Sequence, residues 1–144
     1  MTPEPRRPRR LYLDTSAYLC ILLGEQGSEK LSEETSDAEL LSSVLLLLEA
    51  KRSLIRLARE AVFKPEHFQV CMDRVEEDMN SFVLRDLTRD LCASNAVPAL
   101  ATPRSLDLAH LRTALWFHAN EPLDRFISLD ATQRQAAKEL GLPV

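Results

Sequence analysis

The stretch Leu11-Tyr-Leu-Asp-Thr-Ser16 combines a short apolar run with an acid that ends it, and the mostly apolar residues Ala17–Leu23 follow. Such a run predicts a buried strand that leads directly into a helix. The pattern recurs near the other end of the chain, where Phe126-Ile-Ser-Leu129 stops at Asp130. Short strands that alternate with helices indicate βα units. We therefore predict an α/β fold with a central, mainly parallel sheet flanked by helices.

Apolar periodicity and capping residues place the remaining elements. Further strands are predicted at Glu39–Leu41, Phe82–Leu84 and Leu142–Val144. Helices are predicted at Ser16–Leu23, Gly27–Glu34, Val44–Ala61, Pro65–Asn80 and Thr88–Ser94, from Ser105 to the Glu121-Pro122 break, and from Thr132 to Gly141. Ser42 or Ser43 is expected to cap the third helix, and a Thr132–Gln135 capping box the last. The residues of the third helix expected to face the core are Leu47, Leu48, Leu54, Ile55, Ala58 and Ala61.

Length and composition bound the class of protein. The chain has 144 residues, which fits one domain, and its three cysteines show no CxxC spacing. We therefore expect a reduced, cytoplasmic protein without a disulfide framework or a zinc finger. No apolar run reaches the roughly 20 residues of a membrane helix. No glycine-rich phosphate-binding loop occurs either.

The first ten residues contain three prolines and four arginines. We predict a flexible arm over residues 1–10, which is either a solvated tail or a phosphate-contacting tether, and a single domain over residues 11–144. Asp14 interrupts the apolar stretch that a signal peptide would need, so export is not expected. The formal net charge of −4 argues against binding nucleic acid by bulk charge alone. The clustered arginines of Arg6–Arg10 and Arg52–Arg59 can still supply local phosphate contacts.

Four acids stand at positions that suggest chemistry. Asp14 and Asp130 follow strands, at the edge of the sheet where ligands bind in such folds. Glu49 and Asp107 lie early in apolar helices. Charged side chains are rarely buried unless they are paired or bind a metal. Carboxylates that converge on one cleft would bind Mg²⁺ or Mn²⁺, and a metal-activated water would then hydrolyse a phosphodiester bond.

Each acid also has a structural interpretation, which the sequence leaves open. Asp14 and Asp130 can cap the helices that follow them. Glu49 can pair with Arg52 one turn along its helix. Asp107 suits the positive end of a helix dipole.

Histidine, aromatic and cysteine residues give a weaker signal. His110 lies three residues after Asp107 on the same helix face, and it either contacts the acids or packs in the core. Trp116 and Phe117 fit core or interface packing, and the three cysteines fit small apolar core positions.

Four segments together form a recognisable pattern. They are Leu11-Tyr-Leu-Asp-Thr-Ser16, Ser42-Ser-Val-Leu-Leu-Leu-Leu-Glu49, Ser105-Leu-Asp-Leu-Ala-His-Leu-Arg-Thr-Ala114, and Phe126-Ile-Ser-Leu-Asp130 with its continuation Ala136–Val144. In order and spacing they resemble PIN-domain proteins, and most closely the VapC-type toxins of bacterial toxin–antitoxin pairs. The resemblance implies a PIN-like three-layer α/β/α sandwich over residues 11–144. It also implies Mg²⁺- or Mn²⁺-dependent endoribonuclease activity.

The same resemblance assigns roles to residues. It implies a catalytic and metal-binding quartet made of Asp14, Glu49, Asp107 and Asp130. Ser16 matches a small hydroxyl position, and Ser128 stands where the family often has threonine, so both are expected to support the site. The resemblance further implies an RNA substrate, a homodimer, and a cognate antitoxin whose segment enters the active-site groove. The Ala96–Arg104 stretch and the arginine-rich arm are longer than the family pattern, and they bear on RNA preference and partner choice.

Two other functions compete with this one. A catalytically degenerate PIN-like module would bind RNA or protein without turnover, although all four acids are present here. A phosphotransferase of the haloacid-dehalogenase type would also place an acid after the first strand. That chemistry needs a second aspartate two residues after Asp14, where Ser16 stands, so we expect the ribonuclease.

Overall fold

A computed structural model of the chain describes residues 2–93, 98–101 and 103–144. Its sheet has four parallel strands in the order β3-β2-β1-β4. The strands are β1 (Arg10–Leu13), β2 (Glu39–Ser43), β3 (Phe82–Arg85) and β4 (Arg125–Ile127). Because all strands run the same way, their carboxyl ends meet at one edge of the sheet, and this edge positions the candidate site.

Helices connect the strands, as the alternating pattern predicts. They are α1 (Thr15–Leu23), α2 (Ser28–Thr35), α3 (Leu45–Arg59), α4 (Pro65–Met79), α5 (Arg89–Ala93), α6 (Ser105–Asn120) and α7 (Ala131–Glu139). Each predicted helix is present within a few residues of its expected bounds. Ser94, at the expected end of α5, and part of the long Ala96–Arg104 connection lie outside the described residues.

Strand side chains alternate between two apolar layers. On one face, Tyr12, Leu41 and Phe126 pack against α6 and α7. On the other face, Leu11 and Leu13 pack against α1 and α2, and α3 and α4 extend this second layer. Helices cover both faces of a parallel sheet because its strands are apolar on both sides. The predicted α/β fold, with three α/β/α layers, is confirmed.

The buried face of α3 differs from the sequence prediction. Leu46, Ala50 and Leu54 are fully buried, whereas Leu48 and Ile55 are 67% and 55% exposed. The prediction is confirmed for Leu54 and for the partly buried Leu47, but it is wrong for Leu48, Ile55 and Ala61, because the run Leu45–Leu48 puts leucine on nearly every side of one turn and so does not select a face. The buried residues follow each other at intervals of four, which is the spacing of one helix face.

Both ends of α7 differ in detail from the prediction. Asp130, not Thr132, caps its start, because the Asp130 Oδ1 accepts hydrogen bonds from the backbone N–H of Thr132 at 2.8 Å and Gln133 at 3.2 Å. Gly141 follows the C-cap residue with a φ of +81°. The predicted strand at Leu142–Val144 does not form. Instead, the Pro143 carbonyl accepts a hydrogen bond from the Phe126 N–H at 2.6 Å.

The start of the sheet also lies one residue earlier than expected. Arg10, assigned from sequence to the arm, belongs to β1 and is buried, with Nε 3.5 Å from carboxylate oxygens of Glu39 and Glu121. The preceding arginines are exposed, and Arg7 pairs with Glu121. Among the described residues, no helix has the length and apolar content that crossing a membrane requires.

Candidate active site

The carboxyl edge of the sheet brings the first and last strand exits together. Asp14 follows β1, and its backbone N–H donates to the Ile127 carbonyl at the end of β4, at 3.1 Å. Ser128 therefore lies beside Asp14 although 114 positions separate them in the sequence. The predicted convergence of these two strand ends is present.

Asp14 is a buried carboxylate with several donors. Its side chain is the N-cap of α1, with Oδ1 accepting from the Ala17 N–H at 3.1 Å and from the Ser16 hydroxyl at 2.6 Å. Burial raises the pKa of Asp14 above its ordinary value, and hydrogen bonds from Ser128, Ser16 and Ala17 counter that rise only in part. A desolvated carboxylate of this kind gains stability from any cation placed beside it.

Two serines join Asp14 to the acid on the next strand exit. The Ser16 Oγ lies 3.3 Å from the Ser128 Oγ and accepts from the Leu129 N–H at 2.9 Å. The Ser128 Oγ accepts from the Asp130 N–H at 3.1 Å. These bonds fix the backbone that carries Asp130. The supporting position predicted for both serines agrees with this geometry.

Glu49 reaches the site from the second turn of α3. Its Oε1 accepts from the Thr15 hydroxyl at 2.8 Å and lies 2.8 Å from the His110 Nε2. Both partners meet the same oxygen. Among the described residues, no hydrogen bond reaches the other oxygen, Oε2, so this atom is the one available to a ligand.

His110 holds Glu49 from the core side. The ring is 1% exposed, and its Nδ1 lies 2.7 Å from the Tyr12 hydroxyl. The Thr15 hydroxyl uses its single proton on Glu49, so the His110 Nε2 must carry a proton to bond the same carboxylate. The His110 Nδ1 bonds the Tyr12 hydroxyl, so both ring nitrogens have a hydrogen-bond partner. Sequence analysis did not identify Tyr12 or Thr15 as site residues, and it left His110 between two roles.

Asp14 and Glu49 have opposite pKa shifts. Partial burial raises the pKa of Glu49 as well, but the hydrogen bond and charge interaction with His110, followed by the Thr15 bond and the charge of Arg52, more than offset it, so the net pKa is lowered. Glu49 is thus held ionised, whereas Asp14 is the group for which charge is costly. Environments that push the pKa values of two acids apart are a common feature of catalytic sites.

Glu49, Asp107 and Asp130 line one open cleft of about 510 Å³. The other described residues on its walls are Arg52, Pro103, Arg104, Ser105, Leu106, Thr132 and Gln133. Asp14 is not among the residues that line this cleft, so three of the four predicted acids share it, while Asp14 bonds Ser16 nearby. Gln133 links two of the walls, because its buried side-chain Nε2 donates to the Asp107 carbonyl at 2.9 Å while its own N–H bonds Asp130. Sequence analysis did not select Gln133.

The donor chemistry of the cleft fits a hard divalent cation. All four acids offer carboxylate oxygens, which Mg²⁺ and Mn²⁺ prefer. Among residues 2–93, 98–101 and 103–144, no three His, Cys, Asp or Glu side chains lie close enough to enclose a metal ion. Mg²⁺ is usually held by one or two carboxylates and several waters, so this spacing suits water-rich coordination and does not suit a closed protein cage.

Known proteins give an independent comparison. The chain is 28% identical over 137 residues to the protein named Ribonuclease VapC35 from two strains of Mycobacterium tuberculosis, covering 93% of this chain and 94% of the relative. No protein-family model matches the chain. The alignment is nearly full length in both chains. The resemblance to VapC-type PIN-domain proteins is confirmed.

The structural interpretations of the four acids have mixed outcomes. Asp14 and Asp130 do cap helices. The Asp107 carboxylate accepts from the Arg104 N–H at 3.4 Å, at the start of α6. Glu49, in contrast, makes no ion pair with Arg52 within 4.0 Å and bonds Thr15 and His110 instead. Capping uses one oxygen of a carboxylate, so it is compatible with a second role at the cleft.

Proposed function

We propose that the chain is a metal-dependent endoribonuclease that hydrolyses RNA phosphodiester bonds with a metal-activated water. The observation that carries the proposal is the cleft itself, where Glu49, Asp107 and Asp130 share one open space. The VapC-type relative is named a ribonuclease, which supports RNA as the substrate. A water nucleophile needs no Ser-His or Cys-His pair.

In the proposed mechanism, the acids bind the metal and the neighbouring residues orient them. Asp14, Glu49, Asp107 and Asp130 would hold Mg²⁺ or Mn²⁺. Such a cation, when bound, lowers the pKa of a coordinated water and stabilises charge on phosphoryl oxygens. Glu49 is kept ionised and oriented by His110 and Thr15, with Oε2 directed away from those donors. Ser16 holds the Asp14 carboxylate, and Ser128 holds the backbone of Asp130, each by a hydrogen bond.

The proposal extends to the biological setting. We propose a toxin of a toxin–antitoxin pair, located in the cytoplasm, acting as a homodimer and inhibited by a cognate antitoxin. The VapC-type resemblance supports this assignment. The exposed Leu48 and Ile55 of α3 also leave apolar surface that a protein partner could cover.

Metal removal tests the proposed activity. We expect the purified chain to cleave single-stranded RNA in Mg²⁺ or Mn²⁺, to lose cleavage in a chelator, and to regain it when either metal is restored. Calorimetric titration with Mg²⁺ in the absence of RNA should show binding. Metal-independent cleavage would refute the mechanism. RNA binding with neither cleavage nor metal binding would identify the degenerate PIN-like module instead.

A further inference from the structure

Two arginines share the cleft with the acids. Arg52 lies on α3, one turn after Glu49, and Arg104 directly precedes α6, three residues before Asp107. Both side chains are exposed and both line the cleft. They come from separate elements, so the fold, and not local sequence, brings these two positive charges to one space.

Neither guanidinium is engaged in an ion pair with the described residues. Two other helix arginines are: Arg56 pairs with Glu60 at 3.5 Å, and Arg74 pairs with Asp78 at 3.2 Å. Arg104 uses its backbone N–H, and not its side chain, to bond Asp107. Arg52 lies near enough to lower the pKa of Glu49 yet forms no bond to it. Both guanidinium groups are therefore available to an anion in a cleft that already contains three acids.

The chemistry of a guanidinium selects phosphate as the anion. Its planar fork donates two parallel hydrogen bonds that match two phosphate oxygens. A cleft lined by three carboxylates alone would repel a polyanion, and the two arginines offset part of that repulsion at the place where a strand must enter. Contacts of this type fix the position of a nucleic acid strand without reading its bases.

We propose that Arg52 and Arg104 bind backbone phosphates of single-stranded RNA next to the bond that is cut. The inference rests on the proposed ribonuclease function and adds the residues that position its substrate. Under this proposal, the two arginines increase affinity for RNA and fix the position of the strand, and they do not select its base sequence.

Salt dependence of RNA binding gives a direct count of phosphate contacts. For single strands, the slope of log K against log salt is about −0.7 per contact. We would measure binding of a labelled single-stranded RNA to the full chain carrying Asp14→Asn, which prevents cleavage, in a chelator and between about 50 and 200 mM KCl. Adding Arg52→Ala or Arg104→Ala should make the slope shallower by about 0.7, and adding both by about 1.4.

Control variants separate position from charge. Arg59→Ala removes an exposed arginine from the same helix, α3, outside the cleft, and should leave the slope unchanged. Arg52→Lys and Arg104→Lys keep the charge and should keep the slope while weakening affinity, because a lysine cannot form the bidentate bond. Circular dichroism and thermal melting confirm that each variant is folded.

The outcomes distinguish this inference from the function on which it rests. If the wild-type chain cleaves RNA but the double alanine variant keeps the full slope, the arginines serve another anion and the inference is wrong while the ribonuclease stands. If Arg59→Ala changes the slope as much as Arg52→Ala, the contact is general charge and the inference is again wrong. If the chain neither binds nor cleaves RNA, both proposals fail.

Discussion

Replacing Tyr12 by phenylalanine isolates the hydrogen bond that orients the histidine of the site. The aromatic ring remains stacked on Phe126, with centroids 5.4 Å apart and planes at 9°. Only the hydroxyl is lost, and with it the 2.7 Å bond to the His110 Nδ1 and the hydroxyl's further contacts with Ser42 and Thr113. Tyr12 and His110 are both buried, so solvent does not replace the missing partner.

Tyr12→Phe should lower the free energy of unfolding because the buried His110 Nδ1 loses its hydrogen-bond partner. Such a loss destabilises proteins by about 1–3 kcal/mol, whereas removing the hydroxyl alone takes away little apolar packing. With a urea m-value of about 2 kcal/mol/M, the midpoint of unfolding should fall by about 0.5–1.5 M. The slope of the transition should stay unchanged, because the surface exposed on unfolding is the same.

Tyr18→Phe is a matched control in urea denaturation. The Tyr18 hydroxyl donates a bond of the same length, 2.7 Å, to the Asp78 Oδ2. Asp78 keeps its contact with Arg74 and is 28% exposed, so water can replace the lost donor. This variant should lose less than about 1 kcal/mol. Equal losses in the two variants, or no loss in Tyr12→Phe, would refute the proposed network.

Three other predictions concern the acids and their partners. Burial raises the pKa of Asp14 above its unfolded value, so the stability it contributes in acid is lost as pH rises through that raised pKa. Asp14→Asn should therefore be at least as stable as wild type at neutral pH without metal, and the difference in stability should vanish in acid. Urea denaturation at several pH values measures this difference. A variant that is less stable than wild type at neutral pH would contradict the prediction. His110→Ala removes the donor to Glu49 and should reduce metal affinity, measured by Mg²⁺ titration, or the rate of RNA cleavage by about 10- to 100-fold. Unchanged affinity and unchanged cleavage would contradict the role of His110. Mg²⁺ at 100 times its Kd should stabilise the wild-type fold by about 2.7 kcal/mol, seen in thermal melting, and should stabilise Asp107→Asn much less; equal stabilisation of both would place the metal elsewhere.

The sheet and the strand-end acids could be predicted because their signals are local. Leu11–Leu13 is a short apolar run, and the acid that ends it marks both the strand exit and the start of a helix. Asp130 repeats the arrangement after β4. Parallel strands end at one edge, so the meeting of these acids follows from the fold class alone.

Other features depend on contacts that no local pattern encodes. Four consecutive leucines made the face of α3 ambiguous, and packing against α1 and α4 decided it in favour of Leu46, Ala50 and Leu54. The partners of His110 are 98 and 61 positions away, at Tyr12 and Glu49, so only the folded chain reveals them. The one available signal was the position of His110 one helical turn after an acid.

The sequence offers two caps for the start of α7, and the structure selects Asp130. Thr132 and Gln135 have the form of a capping box, yet Asp130 stands two residues earlier and accepts both backbone N–H groups. Two adequate caps compete at such a start, and the backbone leaving β4 favours the earlier one. The same carboxylate then serves the helix and lines the cleft.

The rate of RNA cleavage by Asp107→Asn in Mg²⁺ tests the central claim most directly. Asp107 is partly exposed on the cleft wall, so the amide should leave the fold intact. Cleavage should fall by more than about 100-fold, beyond the effect of an outer-shell partner. Asp73→Asn, an exposed change on α4 away from the cleft, should cleave like wild type. Undiminished cleavage by Asp107→Asn would contradict the assignment of these acids as the catalytic centre.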